Sequence, residues 1–138
     1  MISLGIVPRN DLDRWRDFAS PLIRRACEKG GSDLTPEQVE RAIRQDPAFC
    51  LVLVAENDRP RGLMVVEAGD DNINVTLVSG SFSPGWCDDV ISQLDRIAEA
   101  VGRRKITGGG RPGWRKLFGS RFESKTVNGR HLYEREIK

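Results

Sequence analysis

The stretch from Ile73 to Val101 constrains the fold more than any other part of this chain. Apolar and polar side chains alternate along residues 73–78, which is typical of a β-strand. A loop rich in glycine, serine and proline follows at residues 80–85, and apolar side chains then recur at helical spacing up to Val101. Many folds hold a phosphorylated cofactor where a strand, a glycine-containing loop and a helix N-terminus follow one another, because the first N–H groups of the helix point at the anion.

The other patterns predict a mixed sheet with helices packed on it. A first strand at residues 2–6 precedes a helix whose apolar stripe runs to Ala26, and Pro21 predicts a kink or break of that helix near Ser20. The segment 35–38 has the residues of a capping box, with proline at the first helical position, and predicts the start of a second helix. The remaining predicted elements are strands at 49–56, 63–67 and 105–107, a short helix at 112–118, and a hairpin of 122–127 and 131–137 around Asn128-Gly129.

The predicted order is β-α-α-β-β-β-α-β-α-β-β, about seven strands and about four helices. Antiparallel hairpins combined with helical crossovers place the chain in the α+β (mixed α/β) class, and 138 residues predict one domain over 1–138. No run of about 18 apolar residues predicts a membrane span, and the N-terminus lacks the apolar core of a signal peptide. Cys27, Cys50 and Cys87 share no CxxC spacing, which favours reduced thiols in an intracellular compartment, and with one histidine we expect no metal site.

Charge is unevenly distributed along the chain. Residues 103–138 carry 11 basic and three acidic side chains, a net charge of +8, whereas residues 1–102 carry 11 basic and 17 acidic side chains, a net charge of −6. One interpretation is a cationic face for an acidic partner, a phosphate or a nucleic acid. The alternative is that the basic residues are simply solvated on exposed strands and a short helix.

Several local features, together with the element order, resemble a known family. They are Trp15, the segment Pro21-Leu22-Ile23-Arg24-Arg25-Ala26, Gly30-Gly31 before the capped second helix, and Arg111-Pro112-Gly113-Trp114-Arg115-Lys116-Leu117 before the last hairpin. The chain resembles the GNAT N-acetyltransferases, and most closely the small GNAT-like proteins encoded by tailed bacteriophages. The resemblance spans nearly the whole chain, and it implies a central mixed sheet that holds acetyl-CoA where the fourth strand meets the third helix.

The loop at that junction departs from the family pattern. GNAT enzymes hold the pyrophosphate on N–H groups of an Arg/Gln-x-x-Gly-x-Gly/Ala loop. Here the leading Arg/Gln is missing, Pro84 has no N–H, and Asp88 and Asp89 place carboxylates at the helix start. We therefore expect no cofactor; if acetyl-CoA does bind, the resemblance implies contacts to Gly80, Ser81, Ser83 and Gly85.

Catalytic and partner-binding residues are assigned by the same resemblance. GNAT enzymes often use a glutamate on a central strand as base and a tyrosine near the fourth helix as acid. Phe118 lies where that tyrosine is expected. The candidates for catalysis are Glu67 and Tyr133, and Tyr133 also fits a packing role. The basic segment from Arg111 to Leu117, which follows Gly108-Gly109-Gly110, supplies candidate partner contacts. In the alternative interpretation, the glycines turn the chain and Trp114 packs into the core beneath the last hairpin. The candidate partner contacts are Arg111, Trp114, Arg115 and Lys116.

Three functional hypotheses follow from these residues. The first is a phage-encoded GNAT-like protein without acetyltransferase activity, which binds other phage structural or assembly proteins as a virion-associated, assembly or DNA-delivery accessory protein. It would lie in the host cytoplasm or in the phage particle, with no membrane partner. The alternative is an acetyl-CoA-dependent N-acetyltransferase acting on a small amine or protein lysine. The third is a nucleic-acid binder using residues 103–121, where Trp114 alone makes a poor stacking platform.

Overall fold

A seven-stranded mixed sheet with helices on both faces organises the chain. The computed structural model describes residues 2–28, 34–110, 122–127 and 130–137. The strands are β1 (Ile2–Ile6), β2 (Phe49–Glu56), β3 (Arg59–Ala68), β4 (Asn72–Gly80), β5 (Lys105–Gly110), β6 (Glu123–Val127) and β7 (Arg130–Glu136). The helices are α1 (Leu12–Glu28), α2 (Pro36–Gln45) and α3 (Trp86–Ala100), and a 3-10 turn at Arg9–Asp11 precedes α1. The spatial order is β1-β2-β3-β4-β5-β7-β6, antiparallel except for the parallel pair β4–β5.

Two apolar clusters cover the two faces of the sheet. One lies between the sheet and α3 and includes Val52, Met64 and Leu94, each at most 1% exposed. The other lies between the sheet and the pair α1–α2 and includes Leu63 and Val39, both fully buried. Consecutive residues of β2 and β3 belong to different clusters, which confirms that the nearly continuous apolar run of β2 forms a strand covered on both faces.

A β-bulge interrupts the strand that begins at Ile73. Val65 of β3 lies opposite Leu77, and Val66 lies opposite Val75, so Thr76 is an extra residue in β4. Val75 therefore packs towards α3, whereas Leu77 packs towards α1 and α2. The alternation predicted the strand correctly, but the bulge places Val75 and Leu77 on opposite faces of the sheet.

Helix α1 continues through Pro21, so the predicted break near Ser20 is wrong. Proline removes one hydrogen bond, from its own nitrogen to the carbonyl of Asp17. Both residues lie on the exposed side of α1, where water can reach that carbonyl. Ala19 and Ile23, at 5% and 2% exposure, pack on either side of Pro21 in the α1–α2 cluster and hold the helix on the sheet.

Local signals elsewhere agree with the structure. The Thr35 hydroxyl accepts from the Gln38 N–H at 3.1 Å, and the Gln38 side chain accepts from the Thr35 N–H at 2.9 Å, so the predicted capping box is confirmed. Strands β6 and β7 pair with Val127 opposite Arg130, as the predicted hairpin requires. The predicted helix at 112–118 lies outside the described residues. No helix in the described ranges is both long enough and apolar enough to cross a membrane.

Candidate functional site

The candidate site lies where β4 and β5 separate. The two strands pair only from Asn72 to Val75 in β4 and from Lys105 to Gly108 in β5. Beyond Val75, β4 continues for five residues to Gly80, a length of about 16 Å. From Leu77 to Gly80, β4 stays paired with β3 on its other side. Among the residues that the structure describes, the sheet is therefore open between β4 and β5, at the end from which the loop leads into α3.

The loop between β4 and α3 ends in a tight turn. The Trp86 N–H donates to the Ser83 carbonyl at 3.3 Å, which closes a four-residue turn with Pro84 and Gly85 at its centre. Gly85 has φ 84° and ψ 3°, the values of the third residue of a type II turn, where glycine is favoured. The Ser81 N–H donates to the Arg61 carbonyl at 3.1 Å. Of the six positions 81–86, three thus offer no N–H to an incoming anion, because two donors are used and Pro84 has none.

An aromatic side chain of the same loop fills a notch between two glycines. Gly62 of β3 lies opposite Gly80 of β4, and Gly80 has a φ of 145°. A Cβ placed on Gly62 would lie 2.5 Å from Cζ of Phe82, and one on Gly80 would lie 2.9 Å from the same atom. Phe82 also packs against Trp86, with ring centroids 4.5 Å apart. The two rings therefore anchor the start of α3 over the ends of β3 and β4.

Carboxylates surround this helix start. Asp88 and Asp89 lie in the first turn of α3, and both are exposed. On the other side of the loop, the Ser83 hydroxyl donates to Oε1 of Glu56 at 2.9 Å, and Nε of Arg61 lies 3.8 Å from the same oxygen. Sequence reasoning identified the two aspartates but missed Glu56, which is distant in sequence and is brought to the loop by the β2–β3 hairpin.

The two candidate catalytic residues lie on opposite faces of the sheet. Tyr133 of β7 is 2% exposed and belongs to the cluster beneath α3. Glu67 follows Val66, which faces α3, so its side chain points to the other face. Glu67 also pairs with Asn74, five residues along β3 from the Gly62–Gly80 pair. The structure does not bring Glu67 and Tyr133 together, nor Glu67 to the loop.

Polar side chains line β4 and β5 just before the strands separate. The Thr107 hydroxyl accepts from the Asn72 amide at 2.8 Å and donates to the Asn74 amide oxygen at 3.0 Å. The Thr76 hydroxyl is buried and has no hydrogen-bond partner among the residues that the structure describes. Buried polar groups normally have a partner, so Thr76 is an exception at the point where β4 leaves β5.

The first basic residues of the C-terminal third are held by partners within the fold. The Arg104 guanidinium contacts both carboxylate oxygens of Asp71 and holds the pKa of that carboxyl below its ordinary value. Lys105 Nζ lies 3.2 Å from Glu134 Oε1, and this contact raises the pKa of Lys105. Arg103 donates to two backbone carbonyls. These three cations are therefore partnered within the fold and are not simply solvated; Arg111, Trp114, Arg115 and Lys116 lie outside the described residues.

Gly108, Gly109 and Gly110 belong to strand β5 and pair with β7, so the interpretation that they turn the chain is wrong. The pairing with β7 supplies the hydrogen bonds that hold these glycines extended. Within the described ranges, no group of three or more histidine, cysteine or acidic side chains is arranged to hold a metal ion. Cysteines 27, 50 and 87 are not joined in disulfides, and burial together with Glu37 and Glu28 raises the pKa of Cys27.

Several solved structures share the architecture of this chain. No protein-family model and no curated protein matches the sequence. Among solved structures, N-acetylglutamate synthase from Neisseria gonorrhoeae, complexed with coenzyme A and N-acetyl-glutamate, aligns with a TM-score of 0.70 and 11% identity. That alignment covers 100% of this chain but 35% of the synthase chain. A GNAT family acetyltransferase from Elizabethkingia anophelis, with acetyl-CoA bound, aligns with a TM-score of 0.66 and 14% identity over 98% of this chain and 97% of that one.

A third example is the PaiA N-acetyltransferase from Thermoplasma acidophilum, in complex with coenzyme A. It aligns with a TM-score of 0.64 and 10% identity, and the alignment covers 99% of each chain. At such identities the similarity concerns the fold alone. The predicted fold class is confirmed: the chain has the GNAT acetyltransferase fold.

Proposed function

We propose that this protein uses the GNAT fold as a binding scaffold without acetyltransferase activity. The observation that carries the proposal is the loop of residues 80–85 with the first turn of α3. The N-terminus of a helix carries about half an elementary positive charge. The carboxylates of Asp88 and Asp89, both in the first turn of α3, oppose that charge and disfavour a pyrophosphate at this position.

Hydrogen bonding in the loop supports the same conclusion. A pyrophosphate cradle needs several N–H groups that point at the anion. Ser81 and Trp86 direct their N–H groups to carbonyls of the protein, and Pro84 has none to offer. A pyrophosphate that used the N–H group of Ser81 or Trp86 would require the hydrogen bond of that group to a protein carbonyl to break.

The biological role proposed for the scaffold is that of a virion-associated, assembly or DNA-delivery accessory protein of a tailed bacteriophage, with other phage structural or assembly proteins as partners. It is supported by the resemblance of the segments around Trp15, Pro21 and Trp114 to small phage-encoded GNAT-like proteins. A scaffold needs the architecture but neither a base nor an acid, which fits the separation of Glu67 from Tyr133 across the sheet.

A second candidate is an acetyl-CoA-dependent N-acetyltransferase acting on a small amine or protein lysine. The opening between β4 and β5 favours it, as does the similarity of the fold to acetyltransferases with acetyl-CoA or coenzyme A bound. In this case Gly80, Ser81, Ser83 and Gly85 would contact the cofactor, and the Ser81–Arg61 hydrogen bond would break on binding.

Acetyl transfer to defined acceptors separates the two functions. Protein is incubated with acetyl-CoA and a lysine-containing peptide, spermine or an aminoglycoside, and the acetylated acceptor is quantified by mass spectrometry. The scaffold function predicts no product above the protein-free reaction. Product that disappears in Glu67→Gln or Gly80→Val, while Glu99→Gln at the far end of α3 remains active, would establish the enzyme instead.

A further inference from the structure

Strand β1 lies at one edge of the sheet, and half of its backbone groups face away from the other strands. It pairs with β2 on one side and with no other described strand on the outer side. The Val7 N–H donates to the Leu51 carbonyl at 2.9 Å, and the direction of hydrogen bonding alternates from one residue of a strand to the next. The N–H and C=O groups of three residues therefore point outward, along an edge on which another strand can add: Ile2, Leu4 and Ile6.

A side chain of α3 occupies the first half of this outer edge. The Leu4 N–H donates to Oε1 of Gln93 at 2.9 Å, and Nε2 of Gln93 donates to the Ile2 carbonyl. One amide thus bonds an N–H and a C=O that are two residues apart, which is the spacing that a residue of an added parallel strand would use. Ile6, the next outward residue, is 54% exposed. Gln93 therefore takes the place of a strand beside Ile2 and Leu4.

The outer edge of β1 is complementary to itself. A two-fold axis at Leu4 would place Leu4 opposite Leu4 of a second copy, and Ile2 opposite Ile6 of that copy. Each of these pairs would bring outward N–H and C=O groups of both copies together, which allows two hydrogen bonds for each pair of an antiparallel ladder. The facing side chains would all be apolar. Such an isologous contact closes as a dimer.

The charges on α3 fit the same two-fold axis. Because the axis is perpendicular to the sheet, α3 and its copy would run antiparallel on either side of it. Asp89 and Arg96 lie about one turn before and after Gln93, share its side of the helix and are exposed. Asp89 of each copy would therefore lie near Arg96 of the other, and opposite charges would attract. The Gln93 amide is then the group that a second copy must displace.

We propose that the Gln93 side chain blocks pairing of β1 with a second copy of the chain and so prevents dimerisation through this edge. Both copies would have to give up their two Gln93 hydrogen bonds before the ladder could form, and this loss offsets most of the hydrogen bonds gained. Strands β2 and β3 separate β1 from the opening beside β4. The role of Gln93 thus goes beyond the proposed scaffold function and holds whether or not acetyl-CoA binds.

Sedimentation velocity of the purified full chain measures the association. The unmodified protein should keep its monomer mass of 15.5 kDa up to about 0.2 mM. Gln93→Ala removes both hydrogen bonds to β1 and should form a dimer, with an association constant at least about tenfold above that of the unmodified protein. Gln93→Met, which keeps the length of the side chain, should do the same. Ser92→Ala, at the neighbouring exposed position, is the matched control and should stay monomeric.

Second substitutions in the Gln93→Ala protein connect the dimer to β1 and α3. Ile6→Lys places a charge on the outer edge and should restore the monomer. Val101→Lys replaces another exposed apolar side chain, 48% exposed, and should leave the dimer intact. Arg96→Glu should weaken the dimer several-fold because it faces Asp89 of the other copy, and adding Asp89→Lys should recover it.

Hydrogen exchange of the Leu4 amide, followed by NMR, reports the edge directly. It should be slow at every concentration in the unmodified protein, and slow in Gln93→Ala only at concentrations that form the dimer; circular dichroism verifies that each variant is folded. Three results would overturn the proposal: Gln93→Ala and Gln93→Met that associate no more strongly than the unmodified protein, assemblies larger than a dimer, or a dimer that Ile6→Lys does not dissociate.

Discussion

Substitution of Gly62 by alanine should be costly because two strands and an aromatic ring meet at its α-carbon. A Cβ at this position would lie 2.4 Å from the Ser79 carbonyl oxygen, 2.5 Å from Cζ of Phe82 and 2.9 Å from Cα of Gly80. The first and third atoms belong to the backbone of β4, so displacement of the Phe82 ring does not suffice and the two strands must also separate. We expect the free energy of unfolding to fall by about 2 kcal/mol, the middle of the range for overpacked sites.

Two smaller effects act in opposite directions on this value. Loss of the Phe82–Trp86 contact adds about 0.5–1.5 kcal/mol to the cost. The reduced freedom of the unfolded chain when glycine becomes alanine returns about 0.4–1 kcal/mol. The net value remains near 2 kcal/mol, which lowers Tm by roughly 6–10 °C for a domain of this size.

Gly5→Ala in β1 is the matched control, because a Cβ there would meet nothing within 4 Å. It should leave stability unchanged or raise it by up to about 1 kcal/mol. Both variants are measured by urea unfolding with the slope m compared to the parent protein, so that a change of midpoint reports stability. If the two variants differ by less than about 0.5 kcal/mol, a value typical of neutral surface substitutions, the close approach of β3, β4 and Phe82 is wrong.

Three further predictions concern single side chains. Thr76→Val should raise the free energy of unfolding by about 1 kcal/mol, because it removes an unpaired buried hydroxyl, whereas Thr107→Val should lower it, because that hydroxyl makes two hydrogen bonds; urea unfolding in which both variants move in the same direction would contradict this. The raised pKa of Cys27 leaves less thiolate at pH 8 than an unperturbed thiol has, so iodoacetamide should react with Cys27 more slowly than it reacts with the thiol of glutathione. Glu37→Gln removes a nearby negative charge and should accelerate the reaction with Cys27. Mass spectrometry that shows no effect of Glu37→Gln would refute the electrostatic cause. Arg104→Gln should raise the pKa of Asp71 towards its ordinary value, whereas Arg59→Gln should not, and NMR titration of the Asp71 carboxyl measures both. Because the pKa of Asp71 is lower in the folded state than in the unfolded state, the stability that this ion pair contributes is lost as pH falls through the folded-state pKa.

Local signals predicted most of the fold because their causes are local. The capping box at Thr35 depends on contacts within four residues, and the Asn128-Gly129 signal predicted a hairpin whose two strands, β6 and β7, do pair in the structure. The strand at 49–56 was predicted with its observed bounds, since its apolar run reflects burial on both faces.

Features set by tertiary contacts were not predictable in the same way. Pro21 lowers helix propensity, but packing of Ala19 and Ile23 on the sheet outweighs the lost hydrogen bond. The bulge at Thr76 depends on the partner strand β3, and nothing in the pattern of β4 alone reveals it. The glycines of β5 resemble a turn in sequence, whereas in the structure β7 supplies the pairing that keeps them extended.

The sequence predicted those features of the candidate site that depend on neighbouring residues in the loop, but not those that depend on distant strands. Pro84, Asp88 and Asp89 act on the loop in which they occur, so their effect on an anion site can be deduced from the sequence. The contacts of Phe82 with Gly62 and of Ser83 with Glu56 join the loop to β3 and β2, which are far away in the chain. These long-range contacts add steric closure and a third carboxylate to the two aspartates.

Calorimetric titration with acetyl-CoA tests most directly whether the loop has lost the cofactor. The unmodified protein should give no binding heat up to about 1 mM ligand. A variant with Pro84→Ala, Asp88→Asn and Asp89→Asn restores one N–H group and removes two negative charges, and it should gain measurable affinity if loop chemistry is the cause. Micromolar binding to the unmodified protein, weakened by Gly80→Val or Gly85→Val, would contradict the scaffold function.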